Sequence, residues 1–204
     1  MEQRIGNLNV SRETFERLSM YVELLKKWNP KINLVSRSTL DDIWTRHIVD
    51  SAQMFKLADP KTLKWVDLGS GGGFPGLVLA IISKELAPQT QFTLVESDQR
   101  KCAFLRTVAR ETGAKITVIA QRIEGVDPQN ADILSARALS DLPMLLQYAK
   151  LHLAKTGHCL FPKGQRWEKE VNMARDSWHF KYEAFNSETN AEAVILKVNE
   201  IIHV

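Results

Sequence analysis

Asp67-Leu68-Gly69-Ser70-Gly71-Gly72-Gly73-Phe74-Pro75-Gly76 is the stretch of this chain whose residue types and spacing suit a ligand. Trp65, Val66 and Leu68 before it form an apolar run that reads as a buried strand, and the glycines read as a turn into a helix. Glycine accepts positive φ and lets a ligand lie directly against the backbone. Pro75 falls near the first helical position, where its missing N–H costs nothing. Amides left free at a helix start favour an anionic or polar ligand group.

Two cofactor readings compete for this loop, beside the plain reading of a glycine turn that binds nothing. Gly71-x-Gly73-x-x-Gly76 matches the dinucleotide fingerprint, and Glu96 falls twenty residues later, where a ribose-binding acid is expected. Asp67-x-Gly69-x-Gly71-x-Gly73 matches the glycine loop of methyltransferases that bind S-adenosylmethionine. In that reading too, an acid at the end of the next strand takes the ribose hydroxyls, because a diol matches the two acceptor oxygens of a carboxylate.

Four further groups follow strands at the same edge of the expected sheet: Glu96, Ile123-Glu124, Arg137 and Lys163-Gly164. Any one of them reads equally as a solvated or paired side chain, but their convergence favours a site. His47 and Asp50, three apart, share a helix face; a structural hydrogen-bonded pair is the simpler account. Arg100, Lys101, Arg106 and Arg110 form the densest basic cluster, which suits RNA phosphate or a solvated face. No Tyr-x-x-x-Lys dyad, Asn/Asp-Pro-Pro-Tyr motif or Pro-Cys nucleophile is present, and no metal-ligand spacing occurs. A nitrogen that already carries a lone pair needs no strong base to be methylated, only alignment with the methyl carbon.

The elements that must position these groups are read from periodicity. Residues 1–10 read as loosely ordered. Ser11 caps a helix running to about Trp28, with Phe15, Leu18, Val22 and Leu25 on one apolar face. A second helix is expected from Leu40 to about Phe55, and a junction at Ala58–Lys61. Strands are expected at about 64–68, Gln91–Val95, Ile116–Ile119, about 131–135 and Gly157–Phe161. Helices are expected at about 75–85, 98–112 and 142–153, and at 165–175. Strands at about 178–185 and 192–199 close the chain. This alternation implies an α/β fold with a doubly wound parallel sheet, its ligand at the strands' carboxyl ends.

At 204 residues the chain has room for one domain with an extension, here expected as 1–60 and 61–204. A net charge of +3 permits a nucleic-acid partner without demanding one. Cys102 and Cys159 lack redox spacing, and there is no apolar signal or membrane-spanning run, so a cytoplasmic protein is expected. Nothing demands an oligomer, and a monomer is expected.

Several motifs occur together in order: Trp28-Asn29-Pro30-Lys31-Ile32-Asn33-Leu34-Val35-Ser36, Arg46-His47-Ile48-Val49-Asp50-Ser51, the loop 67–76, Glu96-Ser97, Lys101–Leu105, Ser135–Ala138 and Lys163-Gly164. From about residue 20 onward the chain resembles the bacterial RsmG/GidB family, which methylates nitrogen 7 of a guanine in 16S ribosomal RNA. The resemblance implies a Rossmann-like class I S-adenosylmethionine-dependent methyltransferase sheet with helices on both faces and an N-terminal helical extension. It implies S-adenosylmethionine held by Gly69, Gly71, Gly73, Phe74, Glu96, Ile123 and Glu124, with Arg137 between cofactor and substrate. Asn33, Arg46, His47, Lys101 and Lys163 would contact RNA phosphate or the guanine of the small ribosomal subunit. The family usually reads Ser-Arg-Ala where this chain has Ser135-Ala136-Arg137-Ala138, which leaves the aim of Arg137 open. Other outcomes of the same fold are a non-catalytic RNA-binding module, a small-molecule methyltransferase and a nicotinamide oxidoreductase.

Overall fold

The computed structural model describes residues 2–204. The chain opens with a hairpin, β1 (Gln3–Ile5) and β2 (Leu8–Val10), where the sequence reads as loosely ordered. Ile5 and Val10 are buried against the body of the protein, and Asn7 N–H donates to Glu188 Oε2 at 3.3 Å, so the order comes from a distant segment. Helix α1 (Arg12–Ile32) starts at the Ser11 cap as expected but runs past Trp28. Pro30 lies in the last turn and removes only one amide from the ladder. Trp28 and Ile32 pack on the core and hold that turn.

The expected helix at 40–55 is instead a broken series. Short 3-10 turns at Arg37–Thr39 and Gln53–Leu57 flank a widened π-turn at Trp44–Val49 and the short α2 (Asp50–Ala52). Such wide turns recur at functional sites, and this one carries the carbonyl of Arg46 that accepts from Arg137 Nη1 at 3.2 Å.

The main body alternates as expected: β3 (Lys64–Leu68), α3 (Gly76–Leu86), β4 (Gln91–Val95), α4 (Gln99–Thr112), β5 (Ile116–Ile119), β6 (Ala131–Ser135), α5 (Leu142–His152), β7 (Leu153–Lys163), α6 (Trp167–Ala174), β8 (Trp178–Asn186) and β9 (Val194–His203). The seven strands run in the order β5-β4-β3-β6-β7-β9-β8. Strands β3 to β7 pair in parallel, and β9 inserts antiparallel between β7 and β8. The direction of winding reverses beside β3, which opens a crevice at the carboxyl ends of β3, β4 and β6.

Side chains alternate across the sheet with period two. Trp65, Phe92, Leu94 and Leu160 face a core shared with α1, α3 and α4. Val66, Leu68, Leu134, Cys159 and Phe161 face the other, shared with α5 and α6. No described helix is long and apolar enough to cross a membrane.

Candidate functional site

The glycine loop is held from three sides. At the end of β3, Asp67 is fully buried; its Oδ1 accepts from Ser135 Oγ at 2.6 Å and its Oδ2 from Gly76 N–H at 3.3 Å. Ser135 Oγ in turn accepts from Trp65 Nε1–H at 2.9 Å. Burial pushes the Asp67 carboxyl up to about 6, against the hydrogen bond from Ser135. From β4, Glu96 accepts Gly71 N–H on Oε2 at 2.9 Å and Asp98 N–H on Oε1 at 2.8 Å. From α1, the buried Tyr21 hydroxyl donates to the Gly72 carbonyl, and its ring stacks on Phe74 at 5.4 Å between centroids. Burial holds that phenol well above its usual range.

Gly73 explains why α1 sits so close. Its φ is +97°, and a Cβ there would lie 2.7 Å from Tyr21 Oη and 2.8 Å from Leu77 Cβ. Gly73 therefore makes room for helix packing and does not line the cavity beside the loop.

That cavity has a volume of about 410 Å³, within the about 300–1,000 Å³ range of small-molecule sites. Gly69, Gly71, Phe74, Glu96, Ile123 and Glu124 line it, and Lys101 and Arg137 reach it too. Tyr148 on α5 is a lining residue the sequence reading missed. Its hydroxyl donates to Glu124 Oε1 at 2.8 Å. The backbone amide of Glu124, then Tyr148, hold the Glu124 carboxyl below the usual range. Burial keeps His152 on α5 below its usual range; its Nε2–H donates to the Ile123 carbonyl at 3.1 Å and fixes the turn carrying Ile123.

Arg137 stands in the wall between this cavity and a second one of about 460 Å³. The structure resolves its aim. Ala136 is buried, Ala138 takes φ +53°, and the side chain between them turns towards the N-terminal segment. Arg137 Nη1 donates to Asp50 Oδ2 at 3.2 Å, Nη2 donates to His47 Nδ1 at 2.8 Å, and the guanidinium lies 5.0 Å from the centroid of the Phe74 ring. Burial, then the charges of Arg137 and Arg46, push His47 down to about 4, against the opposing pull of Asp42. His47 is thus neutral at pH 7, with Nδ1 accepting from Arg137 and Nε2–H donating to Thr39 Oγ1 at 2.9 Å. His47 and Asp50 do share a face, joined through Arg137 rather than to one another.

The remaining candidates divide. Arg46 is exposed at the second cavity. Lys163 also lines it, but its ammonium donates to Ser140 O at 2.9 Å and Glu170 Oε2 at 2.7 Å. Asn33 lines neither cavity; it caps α1 in the left-handed region at φ +47°. The basic cluster on α4 is largely committed. Arg100 pairs with Asp98 at 3.0 Å, Arg110 with Glu111 at 2.9 Å, and Arg106 donates to the Val118 carbonyl at 3.1 Å. Lys101 makes no ion pair among the described residues.

Comparison with known proteins gives the family and supports the fold. The chain is 58% identical over 199 residues, covering 98% of it and 97% of the relative, to a ribosomal RNA small subunit methyltransferase G from Ruegeria pomeroyi. It is 55% identical over 192 residues, covering 94% of it and 87% of the relative, to the protein of the same name from Rhodospirillum centenum. Among solved structures, a TehB-like SAM-dependent methyltransferase from Corynebacterium glutamicum shares the fold at TM-score 0.59 and 12% identity, over 89% of this chain and 98% of that one. A SAM-dependent methyltransferase from Aquifex aeolicus does so at TM-score 0.59 and 12% identity, over 87% and 96%. Residues 14–195 match the family described as GidB, rRNA small subunit methyltransferase G, and the chain belongs to that family.

Proposed function

We propose that this chain transfers the methyl group of S-adenosylmethionine to nitrogen 7 of a guanine in 16S ribosomal RNA. The observation that carries the reading is the meeting of the glycine loop, the Glu96 carboxylate and Arg137 at one crevice, in a chain of this family. The cofactor fits the residues present. Each Glu96 oxygen holds one backbone amide and keeps a lone pair for a ribose hydroxyl. Ile123 and Tyr148 supply apolar and aromatic walls for an adenine, and the loop backbone lies open at Gly69 and Gly71. Bound there, S-adenosylmethionine supplies an electrophilic methyl on a sulfonium.

The chain's own residues align and hold. Nitrogen 7 carries a lone pair and no proton, so no general base is required. His47, with both ring nitrogens engaged, is an acceptor for Arg137 and not a base. The Asp50 carboxylate balances the charge of Arg137, which moderates repulsion of the purine as it becomes cationic. Arg137 is the catalytic residue of this reading, holding a phosphate or the cofactor carboxylate in place. Among the expected RNA contacts, Arg46 and Lys101 take phosphate, while His47 and Lys163 keep the wall in shape and Asn33 ends α1. Residues 1–60 form the extension that brings His47 and Asp50 to Arg137, and 61–204 the methyltransferase domain. The protein works as a cytoplasmic monomer; sedimentation is expected to find a single species of 23.2 kDa, and a larger species overturns the monomer.

The test supplies labelled S-adenosylmethionine with free 16S RNA and with small subunits from cells lacking the protein, then digests to nucleosides. Label in 7-methylguanosine is expected. Label in another nucleoside, or none, overturns the reading.

A further inference from the structure

The turn between β8 and β9 reaches across to the segment that holds Arg137. Thr189 Oγ1–H donates to Asp50 Oδ1 at 2.9 Å, while Arg137 Nη1 donates to Asp50 Oδ2 at 3.2 Å. Gln53 closes the junction, its Nε2 donating to Asp50 Oδ1 at 3.1 Å and its Oε1 accepting Glu188 N–H at 2.8 Å. A separate tie, Lys56 Nζ to Glu188 Oε1 at 3.1 Å, docks the same turn without touching Asp50. The two oxygens of a carboxylate lie in one rigid plane. Any rotation that frees Oδ1 from Thr189 also swings Oδ2 away from Arg137.

We propose that Thr189 is a positioning residue for Arg137, acting through the Asp50 carboxylate. This rests on the methyl-transfer reading above. Among the described residues, Arg137 has only the Arg46 carbonyl and His47 Nδ1 as its other hydrogen-bond acceptors, and both lie in the widened turn that directly precedes Asp50. The C-terminal turn, 139 residues from Asp50 in sequence, therefore sets the angle at which the guanidinium faces the crevice.

The experiment compares steady-state methylation of small subunits by the unaltered chain and by Thr189→Val, Thr189→Ser and Lys56→Met. Thr189→Val keeps the shape of threonine and loses the donor. Its kcat is expected to fall about tenfold, since misplacing an aligning group by about 1 Å costs on the order of a hundredfold. Its KM for S-adenosylmethionine reads what Arg137 holds, since Arg137 lines that cavity and Thr189 does not: within about twofold for an RNA phosphate, raised for the cofactor carboxylate. Thr189→Ser restores the rate, and Lys56→Met leaves it unchanged. Thr189→Val with the parental kcat overturns the proposal. So does an equal loss in Lys56→Met, which assigns the effect to docking of the turn. No transfer by the unaltered chain overturns the methyl-transfer reading itself and this proposal with it; normal transfer by Thr189→Val overturns this proposal alone.

Discussion

Glu96→Gln tests the glycine loop at its anchor. Glu96 is 8% exposed, and its two oxygens each accept one backbone amide, from Gly71 at 2.9 Å and from Asp98 at 2.8 Å. Glutamine offers one carbonyl oxygen and one NH2. Whichever way the amide is turned, its NH2 meets an N–H, so one anchor is lost and a backbone donor stays unpaired. Losing a hydrogen bond to a charged group costs about 1.5–3 kcal/mol. In a chain of this length that lowers Tm by about 3–12 °C, at about 2–4 °C per kcal/mol. The same substitution removes one acceptor from the ribose diol. A second loss of about 1.5–3 kcal/mol weakens S-adenosylmethionine binding by about 10- to 150-fold, at tenfold per about 1.4 kcal/mol. Differential scanning fluorimetry reads the first effect and isothermal titration calorimetry the second. A Gln variant that melts with its parent and binds the cofactor within twofold refutes the reasoning about both amides and the diol. A lowered Tm with unchanged affinity keeps the loop anchor and removes Glu96 from the ribose.

Other outcomes follow from the same geometry. Gly73→Ala drives a Cβ to within 2.7 Å of Tyr21 Oη at φ +97°, and urea denaturation should find it about 2–5 kcal/mol less stable; a cost under 1 kcal/mol would mean α1 is free to retreat. Replacing Arg46 and Lys101 together by Gln should flatten the dependence of RNA affinity on salt, by about 0.7 per residue in the log–log slope, and an unchanged slope removes them from the phosphate path. Burial first, helped by Arg137 at His47 and by Lys197 at His158, holds both imidazoles down at about 4. Their share of stability is whole above their ordinary 6.5 and is lost as pH falls to about 4. Asp67, raised by burial to about 6, acts oppositely: its share is whole below its ordinary 3.8 and is lost as pH rises through about 6. Denaturation across pH 4–7 should show the two histidines prevailing. His47→Gln, which keeps an acceptor and a donor but does not titrate, should flatten the fall; an unaltered profile counts against a neutral His47.

Local chemistry in the chain determined the frame on its own. Runs such as Gln91–Val95 and Ile116–Ile119, bounded by turn residues, occupy their strands as read, because a short apolar run fixes its own extent. Ser11 and Gly113 close their helices because a side-chain acceptor and a left-handed glycine satisfy the orphan groups wherever they occur. Glu96 lies beside the glycine loop because the ends of neighbouring parallel strands share an edge, so order along the chain implied proximity. Family motifs added the cofactor and the RNA. Tertiary structure decided the rest. The hairpin at 3–10 is held by burial of Ile5 and Val10 in the main core and by Glu188, 181 residues away, which takes the Asn7 amide. The helix expected at 40–55 is broken where the turn at 44–49 widens, and its Arg46 carbonyl serves an arginine 91 residues on. Tyr148 enters the cavity beside the glycine loop from the middle of α5 with no motif to announce it. The aim of Arg137, the neutrality of His47 and the reach of Thr189 all rest on groups far apart in sequence. Periodicity and spacing report only what neighbours along the chain do to one another. Burial and charge at a site are set by whatever else the fold brings there.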